Sequence, residues 1–183
     1  TVPSDLRDIR RPIFGFFGLI QHWFDVPLVA QVAKLRPNYS FVLIGDCKVE
    51  PSRLNLPNVH LLGRKDYSTL PAYCAAFSAG LLPFVRNAMT QCINPIKLTE
   101  YLAAGLPVVA TAIPSARDFG GPVAIANSAE EFAAACDAAL QYTPADRPRI
   151  SETVRTHTWE ARVETVSDPN ASRHIRETTS RRA

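Results

Sequence analysis

The apolar positions fall into short continuous runs separated by helical stripes. Residues 13–20 (IFGFFGLI) predict a buried strand that runs into a turn. Residues 26–35 carry Val26, Leu28, Val29, Val32, Ala33 and Leu35 at helical spacing. A second strand is expected at 40–45, a third at 58–63 and a fourth at 79–84, with a helix over 68–77 before the fourth. Residues 85–93 read as an irregular loop. A helix at 94–104 follows, opened by Asn94 as N-cap and Pro95 at the first helical position, and stopped by Gly105. PVVAT at 107–111 and PVAIA at 122–126 give a fifth and a sixth strand. Ser128 and Glu131 have the spacing of a capping box, and a last helix is expected at 151–166 around Trp159. The strands are apolar throughout and alternate with helices. That pattern predicts an α/β domain with a parallel sheet covered by helices on both faces.

Composition changes this picture little. The chain has 183 residues, 46% of them hydrophobic and 20% charged, which suits one well-buried domain. A net charge of +3 gives no footing for nucleic acid as a partner. Cys47, Cys74, Cys92 and Cys136 form no C-x-x-C pair, so a zinc site is not expected. Cys74 and Cys136 lie in alanine-rich helical stretches and read as core residues of a protein kept in a reducing cytosol. No run approaches the roughly 20 apolar residues of a membrane span, and no signal peptide is visible. The polar lead-in 1–12 reads as a linker from a preceding domain, and 167–183 as a solvated polar tail containing Arg173, Arg176, Arg181 and Arg182.

Ligands of such sheets bind beyond the carboxyl ends of the strands. The turns at 17–24, 45–48, 63–67, 84–94 and 111–118 are therefore the places to search. One residue there breaks a local rule. Lys97 falls in the first turn of the helix at 94–104, where the dipole disfavours a cation. It either projects into solvent or pairs with an anion bound at the helix start. Glu100, three residues on, either forms an ion pair with Lys97 or accepts hydrogen bonds from a ribose diol beside a diphosphate.

The stretch NPIKLTEYLAAGLPVVAT resembles the donor-site helix of the GT-B nucleotide-sugar glycosyltransferases of group 1, in particular bacterial enzymes of polysaccharide assembly. FGFFGLI, FVLIGD, NVHLLGRKDYSTLPAYCAAFSAGLLPF and HTWEARV are similar, in order, to the rest of that family's C-terminal domain, so the likeness covers roughly residues 12–166 and implies a domain at 13–166. It implies a Rossmann-like donor-binding domain, the C-terminal half of a GT-B fold, in a transferase acting at the cytoplasmic side of a membrane. The donor would be a UDP- or GDP-sugar, and the acceptor a glycan or lipid-linked sugar. No further cofactor is implied, and the absence of any Asp-x-Asp favours metal-independent transfer. The acceptor site would come from an N-terminal domain of the same parent chain.

Residue by residue, the likeness gives Gly18 and Asn94, Pro95, Ile96 and Lys97 to the diphosphate, Glu100 to the ribose, and Gly63 and Arg64 to the base. Two departures stand out. The family's second glutamate, eight residues before the first, is here Cys92, and the basic pair of the first turn is replaced by LIQHW. His22 either supplies part of that contact or is a surface polar residue. Arg86, Asn87, Thr90 and Gln91 are the remaining candidates for sugar or phosphate contact. Cys92 also keeps open an alternative, a non-catalytic nucleotide-binding module or partner subunit. A sugar-nucleotide epimerase shares the architecture but needs carboxylates and a histidine from a two-domain chain.

Overall fold

The structure is a computed structural model that describes residues 2–93, 96–117 and 119–155. Asn94, Pro95, His157, Trp159, the end of the predicted last helix and the polar tail lie outside the described residues. Six strands form one parallel sheet: β1 (Ile13–Phe17), β2 (Ser40–Ile44), β3 (Val59–Gly63), β4 (Ala79–Leu82), β5 (Val108–Thr111) and β6 (Val123–Ala126). Their order across the sheet is β3-β2-β1-β4-β5-β6. All six predicted strands are present. β1, β2, β4 and β5 are buried along their whole length, which is why they read as unbroken apolar runs. The edge strands β3 and β6 are only partly buried.

The connecting helices are α1 (Val26–Leu35), α2 (Leu70–Ala76), α3 (Ala88–Gln91), α4 (Ile96–Ala103), α5 (Pro114–Arg117), α6 (Ala129–Ala139) and α7 (Arg147–Glu152). Asp25 caps α1, its carboxylate accepting from the Leu28 N–H at 2.9 Å. Across one face, Arg36 and Tyr39 after α1 both bond to Asp137 on α6. On the other, the fully buried Tyr101 of α4 lays its ring where a side chain at Gly80 of β4 would stand; an added Cβ would meet the ring at 2.4 Å.

β1 stops at Phe17, where Gly18 turns the chain with φ of +139°, as expected of a strand that runs into a turn. Other elements differ from expectation. Residues 85–93 are not all irregular, since α3 forms there. Asn87 and Thr90 cap it reciprocally, each side chain accepting from the other's N–H at 2.9 Å. Ser128 caps α6 through the Glu131 N–H, but the Glu131 carboxylate reaches back to the Asn127 N–H at 2.7 Å instead of closing on Ser128. The last helix starts earlier than expected, at Arg147, with Pro148 in its first turn. The lead-in is docked on the domain. Leu6 is buried, Asp5 pairs with Lys65 at 2.8 Å and accepts from the Tyr73 hydroxyl, and Arg11 donates to the Ala76 carbonyl.

Candidate functional site

The strand order reverses between β1 and β4: the chain runs outward through β2 and β3, then returns to the other side of β1. In open parallel sheets the crevice at such a switch point is where ligands bind. A cleft of about 310 Å³ opens there. Gly18 and Leu19 after β1, Gly45 and Asp46 after β2, Arg64 and Lys65 after β3, and Ile96, Lys97 and Glu100 on α4 line it. An apolar groove of about 340 Å³ adjoins it and shares Phe17, Tyr67, Leu70 and Glu100 as a common wall.

Tyr101 fixes the geometry of this cleft. Its hydroxyl accepts from the Phe17 N–H at 3.0 Å, and its ring meets Phe17 edge-on at 4.7 Å. The helix that carries Lys97 and Glu100 is thereby tied to the end of β1. Burial holds the Tyr101 phenol neutral, its pKa raised well above the ordinary value. This residue was hidden in the sequence, where it is one more apolar position in a helical stripe.

Lys97 reaches back across the turn after β1, and its Cε and Nζ lie over Gly18. A Cβ at Gly18 would meet Lys97 Cε at 2.1 Å, so the missing side chain is what lets the lysine lie there. Burial lowers the Lys97 pKa, and the nearby Glu100 charge partly restores it. Among the described residues the ion pairs are Arg36–Asp137, Lys65–Asp5, Arg149–Asp146 and Arg155–Glu152, so Lys97 and Glu100 do not pair at contact distance. Glu100 instead accepts a hydrogen bond from the Tyr67 hydroxyl at 2.6 Å, and that bond raises the Tyr67 pKa. Among the described residues the cleft therefore presents an ammonium free of ion pairs and a carboxylate whose hydrogen bond comes from an exposed phenol.

Of the residues singled out in the sequence, Gly18, Arg64, Ile96, Lys97 and Glu100 come together in this cleft. Gly63 ends β3 with φ of +64° and delivers Arg64 to it. The candidates for sugar contact stand elsewhere. His22 lies edge-on against Trp23, Arg86 donates to Asn127 at 3.2 Å, and Gln91 points toward the Ala112 carbonyl. Asn87 caps α3, and the exposed Cys92 closes it. Thr90 must be withdrawn as a contact residue. It is fully buried, and its hydroxyl is engaged by the Asn87 N–H and the Val85 carbonyl. Asp46, Lys65 and Tyr67 were not singled out, although each lies in or beside a turn at the predicted ligand edge.

A six-stranded parallel sheet with helices packed against it and a cleft at its switch point is the Rossmann-like α/β architecture found in GT-B glycosyltransferases. The sequence model for glycosyl transferases group 1 matches residues 11–142, and the chain belongs to that family. It is 30% identical over 137 residues to TuaH of Bacillus subtilis (strain 168), named as a teichuronic acid biosynthesis glycosyltransferase; the match covers 70% of this chain and 34% of TuaH. HepE of Anabaena, solved with UDP and glucose, superposes with a TM-score of 0.63 at 17% identity, over 98% of this chain and 53% of HepE. The sucrose-phosphate synthase of Thermosynechococcus elongatus gives 0.65 at 18% identity, over 92% of this chain and 46% of that one. These two likenesses are of fold. The chain spans about a third of TuaH and about half of the two solved proteins.

Proposed function

We propose that this chain is the donor-binding domain of a glycosyltransferase that passes a sugar from a nucleotide to a glycan or lipid-linked acceptor. One observation carries the reading: Lys97 lies over Gly18 at the switch point, among the described residues without a carboxylate at contact distance, with Glu100 one turn further along the same helix. A diphosphate fits that lysine, the glycine turn and the free N–H groups that open a helix, and the family resemblance assigns Asn94, Pro95 and Ile96 to it as well. The ribose then falls to Glu100, and the base to the backbone at Gly63 and Arg64. The leaving diphosphate is neutralised by Lys97 and the helix start, without a metal. HepE, solved with UDP and glucose, supports a UDP-sugar as donor. The acceptor belongs to an N-terminal domain of the parent protein. The partial span of the relatives and the exposed apolar rim of the cleft at Leu19, Tyr67 and Ile96 support this. Four free cysteines support a cytoplasmic site, and among the described residues no helix is long and apolar enough to cross a membrane.

Calorimetry on the 183-residue chain tests the reading. UDP or GDP should bind at roughly 0.1–1 mM and the bare nucleosides far more weakly. Nucleosides binding as tightly as diphosphates would overturn it. UDP-glucose or GDP-mannose binding more tightly than the bare diphosphate supports a transferase. Equal binding favours the alternative of a nucleotide-binding module, which Cys92 in place of the second family glutamate keeps in view.

A further inference from the structure

Glu100 is the acceptor assigned above to the ribose, and in this structure its Oε1 already holds a hydroxyl. The donor is Tyr67, at 2.6 Å, a short charge-assisted contact. Three features make this bond a poor candidate for a structural role. Tyr67 is 72% exposed, so its ring contributes little to the core. It opens a single 3-10 turn, Tyr67–Thr69, with no side-chain cap, and among the described residues its ring meets no other ring. The bond also sits at the wall shared by the switch-point cleft and the apolar groove, where a nucleotide would pass.

We propose that the Tyr67 hydroxyl occupies the ribose position of Glu100 in the free chain and is displaced by a ribose hydroxyl of the incoming nucleotide. The inference rests on the reading of Glu100 as ribose acceptor. Both groups are neutral O–H donors competing for one carboxylate oxygen, so binding exchanges one hydrogen bond for another of the same kind. The nucleotide thus gains little from its ribose while Tyr67 is present. Tyr67 sets how strongly the site distinguishes a ribonucleotide from a nucleotide without the diol, and it keeps the glutamate aligned and partly shielded when no donor is bound. The phenol swings out at small cost because among the described residues no other side-chain hydrogen bond or ring contact anchors it. If the bonded state is occupied about 75–90% of the time, the site's apparent affinity is reduced roughly four- to tenfold.

Tyr67→Phe removes the hydroxyl and keeps the ring. It should tighten UDP or GDP binding, whichever the chain prefers, roughly four- to tenfold, and leave the 2′,3′-dideoxy counterpart unchanged. Its melting temperature should match that of the parent. The same substitution in a Glu100→Gln background should change nothing further, and Glu100→Gln alone should erase the preference for ribose. Unchanged affinity in Tyr67→Phe, or equal tightening for both nucleotides, overturns the proposal for the tyrosine alone, provided Glu100→Gln still erases the preference. A preference that survives Glu100→Gln overturns the ribose reading itself, and the tyrosine proposal with it.

Discussion

Lys97 and Gly18 are in contact across the sheet's switch point: the lysine's Cε stands 2.1 Å from where a Cβ on the glycine would be. The two residues are 79 positions apart in the sequence, and neither role exists without the other. Gly18→Ala should therefore act as a binding mutation as well as a folding one. The end of the lysine is flexible and can move aside, so the fold survives, at a backbone cost of order 1–3 kcal/mol for a non-glycine residue at φ of +139°. On the proposed reading, the displaced ammonium no longer faces the diphosphate. UDP affinity should fall to nearly that of Lys97→Ala, and the double variant should bind no worse than either single one. Additive losses in calorimetry would show that the two residues act separately.

Gly45 and Gly63 both sit at positive φ, yet their substitutions should differ sharply. At Gly45 an added Cβ would lie 2.0 Å from the Gly18 carbonyl oxygen, a rigid backbone atom, with φ of +137°. At Gly63 it would meet nothing within 4 Å, at an ordinary left-handed φ of +64°. Gly63→Ala should cost about 1 kcal/mol, and Gly45→Ala more than about 3 kcal/mol. Urea unfolding of both checks this. Similar midpoints would mean that the turns after β1 and β2 are not packed as described.

What could be read from the sequence followed from local chemistry. The six strands were visible because burial on both faces leaves strands without polar interruptions. Lys97 and Glu100 were visible because a cation in a helix's first turn violates the dipole preference and asks for an explanation. What stayed hidden depends on contacts made over long separations. Tyr67 meets Glu100 across 33 residues, and Asp5 meets Tyr73 across 68, so no window of sequence contains either pair. Tyr101 looked apolar because its hydroxyl partner is a backbone N–H on another element. Thr90 suggested a contact residue because it stands in the predicted ligand loop, whereas its hydroxyl closes a cap that the pattern of apolar residues does not reveal.

Asp137 joins α6 to the end of α1 by accepting from Arg36 Nε and the Tyr39 hydroxyl, each at 2.8 Å. Its side chain is 42% exposed, so solvent screens much of the attraction. Asp137→Asn should cost roughly 1 kcal/mol, mostly from the charge-assisted bonds. The hydrogen bond from Arg36, opposed by burial and helped by Tyr39, holds the Asp137 pKa below the ordinary 3.8. The folded state thus binds fewer protons than the unfolded one. The carboxylate's contribution is complete above about pH 5, and is lost as pH falls through the depressed folded pKa. Unfolding curves of parent and variant should differ at neutral pH and converge as pH falls below the depressed Asp137 pKa. A constant difference would locate the effect in packing.

Lys97 titrates in the opposite sense to a lysine in an ion pair. Burial lowers its folded pKa below the ordinary 10.5, with Glu100 only partly offsetting the shift. The unfolded chain therefore binds more protons here, and this residue's destabilising effect, fully present below the folded pKa, is relieved as pH rises toward 10.5. A bound diphosphate reverses the balance by favouring the ammonium, so it raises the pKa. Binding of UDP should then take up protons in the window between the lowered free-state pKa and the raised bound-state pKa, and affinity should fall as pH rises through it. The nucleotide's terminal phosphate, with a second pKa of about 6, is fully ionised there and contributes no proton change. Calorimetry across a series of alkaline pH values, each in two buffers of different ionisation enthalpy, measures the uptake directly. Lys97→Ala should lose the uptake together with most of the affinity. Lys97→Arg separates charge from titration: a guanidinium stays protonated throughout this range, so it should keep part of the affinity and show no uptake. Uptake that persists in the arginine variant would assign it to the nucleobase N–H or to another group of the cleft and not to Lys97, and unchanged affinity in Lys97→Ala would remove the lysine as the diphosphate's partner.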